Sequence, residues 1–398
     1  MSLSTARATA AAPSLRAPAA AVRPFLGLID SVLVEDGGEF EFPGAIARSH
    51  ATAAWTWMRR DLGSGLIDAD GPDSPDAQQL LDAAMPQLLQ RAHAALAAAA
   101  DTREAERRLR TQLGGEGEWQ RLRMVLEALK CRALLAKAKS FGRAVNGLTD
   151  ESALAQALQA MPLQDQAVAA LLMQATLGQV SNPARLVTAT VRIAGAPTEA
   201  AVQRVGLAPL LDAVLAHAQN QVPALQVHGT FADIDLTCRA IHRFHRLVRA
   251  LHTHVELDRN GRRAAIVGAV TKRVSDRVEA RLRDVPMDIN QALRRAREGT
   301  DRLDGDRLLS ALNGVYILAT VRECRESLAL NALFDRSWTQ VGEALEMHIQ
   351  RNLDLLRQNP EDTVTSERLA SSIKMAELRF NSEYADVLRR AKEAVERR

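Results

Sequence analysis

Aromatic residues are scarce in this chain: 4 Trp, 2 Tyr and 8 Phe, or 4% of 398 residues. Aromatic side chains dominate both ligand pockets and interface hot spots. Their scarcity argues against a deep pocket for a large flat or apolar ligand. Cysteine is scarcer still. Cys131, Cys238 and Cys324 are odd in number, far apart and form no CxxC pair. A disulfide scaffold is therefore excluded, and a reducing, cytoplasmic setting fits better. Long apolar runs are missing too. The longest candidate starts at Leu308, is interrupted by Ser310, Asn313 and Gly314, and falls short of the roughly 18–20 residues that cross a bilayer. It reads as a buried helix.

Catalytic signatures are also missing. The sequence contains no GxSxG, no P-loop, no HExxH and no ExxH pair of the di-iron bundles. The GSG at Gly63–Gly65 lacks the strand and helix of a phosphate loop. Asp68, Asp70, Asp73 and Asp76 crowd one loop. Their spacing misses the calcium pattern, because Gly71 follows Asp70 directly and no matching Glu comes later. Asp301, Asp304 and Asp306 fit turn and capping roles. No resident cofactor is expected.

Residues 1–29 hold no acid and carry Arg7, Arg16 and Arg23 among Ser, Thr, Ala and Pro. Such a segment cannot bury a core and reads as a disordered tail. An organelle transit peptide has this composition, as does the unfolded export signal of a secreted bacterial effector. From Val32 to Phe42, apolar and acidic residues alternate around Asp36-Gly37-Gly38. This is the one hairpin signal, placing a β-hairpin at 30–43.

What the chain does contain is helix formers, with 47% hydrophobic and 25% charged residues overall. Helix starts are marked by Ser74-Pro75, Asn182-Pro183, Thr198 before Glu199, and Thr149 with Asp150 and Glu151 in the first turn. Stops or kinks are marked by Gly114-Gly115, Gly147, Pro162, Pro197, Pro223, Asn260-Gly261, Pro286 and Pro360. The expectation is an all-α protein, a multi-helix bundle or irregular array of about a dozen helices, with one short N-terminal hairpin. No fixed repeat is visible. Composition turns from charge-poor to charge-dense near Pro223–Thr230. That suggests an N-terminal helical region at 44–225 and a charged one at 226–398.

Charge is unevenly placed. Arg239–Arg297 holds 15 Lys and Arg against 6 Asp and Glu, and Arg103–Arg143 holds 11 against 5. A polyanion-binding surface, for nucleic acid or anionic membrane, would centre on Arg239, Arg243, Arg246, Arg249, Arg262, Arg263, Lys272 and Arg273. Against it, Phe244 is the only interleaved aromatic apart from histidine, and arginine also serves as a solvated helix face.

The segment Cys238–His254 carries four histidines. On a helical wheel Ile241, Phe244, Leu247, Val248, Leu251 and Val255 form a core face. Cys238, His242, His245, His252 and Arg249 run along its edge. Cys238, His242, His245 and His252 have chelating i,i+3 and i,i+4 spacings. Arg249, a fixed positive charge in the same band, opposes a metal. A neighbouring helix presenting carboxylates to His245 and Arg249 would make the band structural.

The end of the chain reads as one helix, Thr363 to Arg398. Its apolar stripe includes Leu369, Ile373, Phe380, Tyr384 and Val387, a candidate face for a partner or a second copy. Phe334, Trp338, Val341, Leu345 and Ile349 form a similar stripe one helix earlier. The reading that fits best is a helical scaffold or adaptor working by protein–protein contact, with an acidic partner as one option. The other classes are polyanion binding, an exported effector, and a metal-dependent enzyme using the histidine band; no catalytic motif supports the last.

Overall fold

The computed structural model describes residues 24–66, 75–225, 233–295 and 302–397. Seventeen α-helices are found among them. The chain divides into two compact units. One comprises residues 1–33 and 48–133; the other comprises 34–47 and 134–398.

The first unit contains α1 (Pro24–Leu28), α2 (Arg48–Trp57), α3 (Pro75–Asp101), α4 (Arg103–Leu113) and α5 (Glu116–Lys130). A single π-helical turn, Met58–Leu62, extends α2. Phe25 stacks on Trp55 with ring centroids 4.5 Å apart. With Ile29, Trp57, Met58, Met85, Leu88 and Leu126 they are buried in the core. The acid-free N-terminal segment is therefore helical from Pro24 and packed at Phe25, Leu26 and Ile29; the rest of the expected tail lies outside the described residues. Helix ends follow the local signals. Thr102 Oγ1 accepts from the Ala105 amide at 3.3 Å at the start of α4. Gly114, at φ 102°, closes that helix in the left-handed region.

Pro86 lies inside α3. It has no N–H to give the Asp82 carbonyl. The Arg132 guanidinium donates to that carbonyl at 3.2 Å and also bonds the Asp82 carboxylate. The aspartate-rich loop before α3 lies outside the described residues, except that Asp76 falls in α3 itself.

The boundary between units falls within α6 (Arg132–Val145). The second unit continues with α7 (Glu151–Gln159), α8 (Gln166–Leu177), α9 (Pro183–Ala194), α10 (Glu199–Arg204) and α11 (Ala208–Gln219). Next come α12 (Ile234–His254), α13 (Arg262–Leu293), α14 (Gly305–Cys324), α15 (Asn331–Gln358), α16 (Thr363–Arg379) and α17 (Ser382–Glu396). The charge-poor stretch supplies its innermost helices. Every residue from Ala169 to Leu177 of α8 is buried, as is nearly all of α11. The composition change near Pro223 lies inside this unit, where α11 and α12 pack together.

Asp150, Asn182, Thr198 and Asp304 cap α7, α9, α10 and α14 with their side chains. Pro286 was expected to stop or kink a helix. It does not stop α13, which spans 32 residues and contains it. The Leu282 carbonyl, orphaned four residues earlier, accepts from Ser337 Oγ on α15 at 3.0 Å. On another side, Arg281 spans the same turn by pairing with Asp288 and donating to the Ser310 carbonyl at 2.6 Å.

Two sequence expectations are corrected. No hairpin forms at 30–43. The two short strands, β1 (Leu33–Val34) and β2 (Ile46–Ala47), pair in parallel. The alternating segment between them pairs instead with a side chain. The Gln219 amide accepts from Phe40 N at 2.9 Å and donates to Phe40 O at 2.8 Å, much as a neighbouring strand would. Phe42 joins the second unit's core. The C-terminal helix is likewise two helices. They break at Phe380, and Asn381 Oδ1 caps α17 by accepting from Tyr384 N at 2.8 Å. The two pack on each other, with Arg389 paired to Glu377.

Candidate functional site

The histidine band sits on α12, whose start is capped by Asp233 accepting from Leu236 N at 2.9 Å. The core face predicted by the wheel is buried: Ile241, Phe244, Leu247, Val248 and Leu251. The polar edge meets the end of α14 and the turn Arg325–Ser327. Ser327 Oγ lies 2.9 Å from His245 Nδ1. Glu323 lies 3.7 Å from His242 and Glu326 lies 3.6 Å from Arg249. Burial, then Arg249, push the His245 pKa down, against a smaller upward pull from Glu326. A carboxylate thus faces Arg249 and another faces His242, whereas His245 meets a hydroxyl, and all three contacts join α12 to the end of α14 and the turn after it.

The two thiols beside it are poor ligands and poor nucleophiles. Burial raises the Cys238 pKa and lifts that of Cys324 to about 12, so both stay protonated near neutrality. Cys324 Sγ sits 3.4 Å from His242 Nδ1, while His252 is exposed. Among the described residues, no group of three His, Cys, Asp or Glu is placed to hold a metal ion.

The eight basic candidates scatter into separate roles. Arg243 closes the C-terminal end of α8, donating to the carbonyls of Leu177, at 2.8 Å, and Val180. Burial lowers its pKa to about 10. Arg263 forks onto Asp212 at 2.9 and 3.1 Å and reaches Glu199 at 2.8 Å. Arg262 donates to the Glu41 carbonyl at 2.8 Å. Arg273 reaches the Gly37 carbonyl at 3.5 Å and lies 3.9 Å from Glu39. Arg239 and Lys272 pair along their own helices with Asp235 and Asp276. Arg249 faces Glu326. Arg246 and Arg262 are exposed with no acidic side-chain partner among the described residues, and Arg262 is held by the Glu41 carbonyl. Five of the eight, Arg243, Arg249, Arg262, Arg263 and Arg273, therefore tie elements of the second unit together.

The C-terminal stripe divides at the α16–α17 break. Leu369 and Ile373 are core residues, whereas Phe380 and Tyr384 are half-buried and Val387 is 54% exposed. Phe380 and Tyr384 form a tilted pair at 4.9 Å. They adjoin a feature the sequence reading underrated. Trp338 on α15 stacks with Phe334 at 5.5 Å. Arg379 lies over its ring at 4.1 Å and over Phe380 at 4.8 Å, and Arg322 lies over it at 5.2 Å. Arg379 Nε also donates to the Trp338 carbonyl at 2.8 Å. Gly342 makes room, because a Cβ there would stand 2.8 Å from the Arg379 guanidinium. Four of the 14 aromatic residues, Phe334 buried and the other three half-buried, thus meet two arginines at one corner of the second unit. Chemically, the corner offers flat apolar surface, cation–π contact and guanidinium donors. Comparisons with protein-family models, curated proteins and solved structures found no match for the chain.

Proposed function

We propose that this chain is a helical scaffold or adaptor, and that its partner-binding surface is the α15–α16–α17 corner, where an apolar helix face of another protein would dock. The observation that carries this reading is the gathering of Phe334, Trp338, Phe380 and Tyr384 with Arg322 and Arg379. Trp, Tyr and Arg are the residues enriched at binding hot spots. A chain with so few aromatics leaves three of these four, Trp338, Phe380 and Tyr384, where solvent still reaches them, with Phe334 buried beneath. Val387, one turn beyond Tyr384, leaves an apolar side chain exposed beside them. The polyanion reading has less support, because Arg243, Arg262 and Arg263 already serve internal acceptors.

The experiment is recovery of partners from the native host with three baits. These are the full chain, Val387→Glu with Tyr384→Ala, and Arg239→Glu with Arg246→Glu and Lys272→Glu. The first variant set should lose a stoichiometric protein partner while circular dichroism stays unchanged; the second should keep it. Loss of nucleic acid or lipid with the second set, and no change with the first, would favour the polyanion reading. The metal-enzyme alternative is tested by metal analysis of the purified protein.

A further inference from the structure

Between α13 and α15 lies a cleft of about 470 Å³, lined by Arg283, Leu333, Arg336, Ser337 and Gln340. It opens at the turn where Pro286 interrupts the α13 hydrogen-bond ladder. Ser337 spends its only hydrogen on the orphaned Leu282 carbonyl, so toward the cleft it can only accept. The remaining polar groups are rich in donors. Arg283 comes from one helix and Arg336 from the other, and Gln340 stands one turn beyond Arg336. Glu279 pairs with Arg283 along α13. Arg336 has no acidic partner among the described residues. Two guanidinium-bearing residues therefore line the cleft, of which only Arg283 has an ion-pair partner among the described residues, and Leu333 adds an apolar wall.

A solvated pair of surface arginines is the plain alternative. It differs in geometry: these two come from facing helices and line one cavity, so an anion held there would offset both charges. We propose that this cleft is a binding site for a phosphate group, held by the planar forks of Arg283 and Arg336 with Gln340 as a third donor. The volume falls in the range of small-molecule sites, about 300–1,000 Å³. It leaves room for an organic moiety, so a small phosphate monoester is the expected ligand. This inference stands apart from the proposed partner surface and survives its failure.

The test measures the thermal midpoint of the full chain during titration with sodium phosphate, with phosphoserine, and with sodium chloride at matched ionic strength. Proteins compared are wild type, Arg336→Gln and the double variant Arg283→Gln with Arg336→Gln. Both arginines are exposed, so the variants should keep their midpoint without phosphate. A saturable rise with phosphate, absent with chloride, is expected for wild type, with apparent affinity at least tenfold weaker in the double variant. Tighter binding of phosphoserine than of phosphate assigns an ester ligand, and equal binding assigns the free ion; either result supports the site. An equal response in wild type and both variants, or an equal response to chloride, overturns it.

Discussion

Each unit of this molecule runs a long helix through a proline, and the two solve the resulting problem with different chemistry. In the first unit, the Asp82 carbonyl freed by Pro86 is met by the partly exposed Arg132, a charged group that also binds the Asp82 carboxylate. In the second, the Leu282 carbonyl freed by Pro286 is met by Ser337, a neutral hydroxyl that is 2% exposed. Water can replace a donor at the surface but not in the core. The first repair should therefore be cheap to lose and the second expensive. The buried repair also brings a second helix across the break, which is how α15 comes to share a cleft with α13.

Four perturbations test this contrast. The largest effect should come from Arg281→Ala, which removes the buried guanidinium bracing the Pro286 turn and leaves Asp288 and Ser310 without it. A loss of about 3 kcal/mol is expected in urea unfolding, near the low end for breaking a buried pair because Asp288 is partly exposed. A loss below about 1 kcal/mol would mean the turn stands without its brace.

Acid should weaken the second unit next. Burial, outweighing a hydrogen bond to the Gln174 carbonyl, lowers the His217 pKa to about 4. An unfolded histidine titrates near 6.5. The unfolded chain therefore binds more protons between these values. Stability is intact above about pH 6.5, falls as pH drops, and levels off below about pH 4. The full shift corresponds to about 3 kcal/mol; because His217 is only half-buried by surface exposure, a loss of about 2 kcal/mol is expected over that window, and His217→Gln should abolish most of it. Equal acid sensitivity in both proteins would clear His217 as the cause. Burial also lowers the pKa of His245 and His348, which acts in the same direction.

Ser337→Ala should cost about 1–2 kcal/mol, by leaving the Leu282 carbonyl buried without a donor. Arg132→Ala should cost less, about 0.5–1 kcal/mol, and its effect should shrink in high salt. A reversal of this order, read as urea midpoints of the two variants, would contradict the surface-versus-core argument.

The parts of the fold legible in sequence were those set by nearby residues. Asn182 and Thr198 were expected to start helices and do so with their side chains, while the start expected at Thr149 falls one residue later, at Asp150. The core face of α12 followed from spacing alone. The failures all involve distant partners or signals that conflict. The alternating segment near Gly37–Gly38 looked like a hairpin because nothing local reveals that Gln219 pairs with Phe40. Pro286 was expected to stop or kink its helix, and the continuation depends on Ser337, 55 positions from Leu282.

The break at Phe380 was hidden for a different reason. The apolar stripe keeps its three-and-four spacing from Ala376 through Phe380 to Tyr384, across the interruption. Asn381, a good cap residue ahead of Ser382 and Glu383, was the available clue. For the candidate sites, residue type was readable but destination was not. Arg243 and Arg263 looked like surface charge, yet their acceptors are a helix end and two acids far away in sequence. Trp338 was visible as part of a stripe, but its two arginine neighbours come from α14 and α16.

The central claim is that this chain meets its partner at the aromatic corner of the second unit, while its basic stretch serves the fold. Amide hydrogen exchange of the chain alone and in complex with the partner recovered from its host tests this most directly. The account predicts added protection in Phe334–Gly342 and Arg379–Leu388, with α12 and the start of α13 unchanged. Protection confined to Arg239–Arg273, with the corner unaffected, would contradict it.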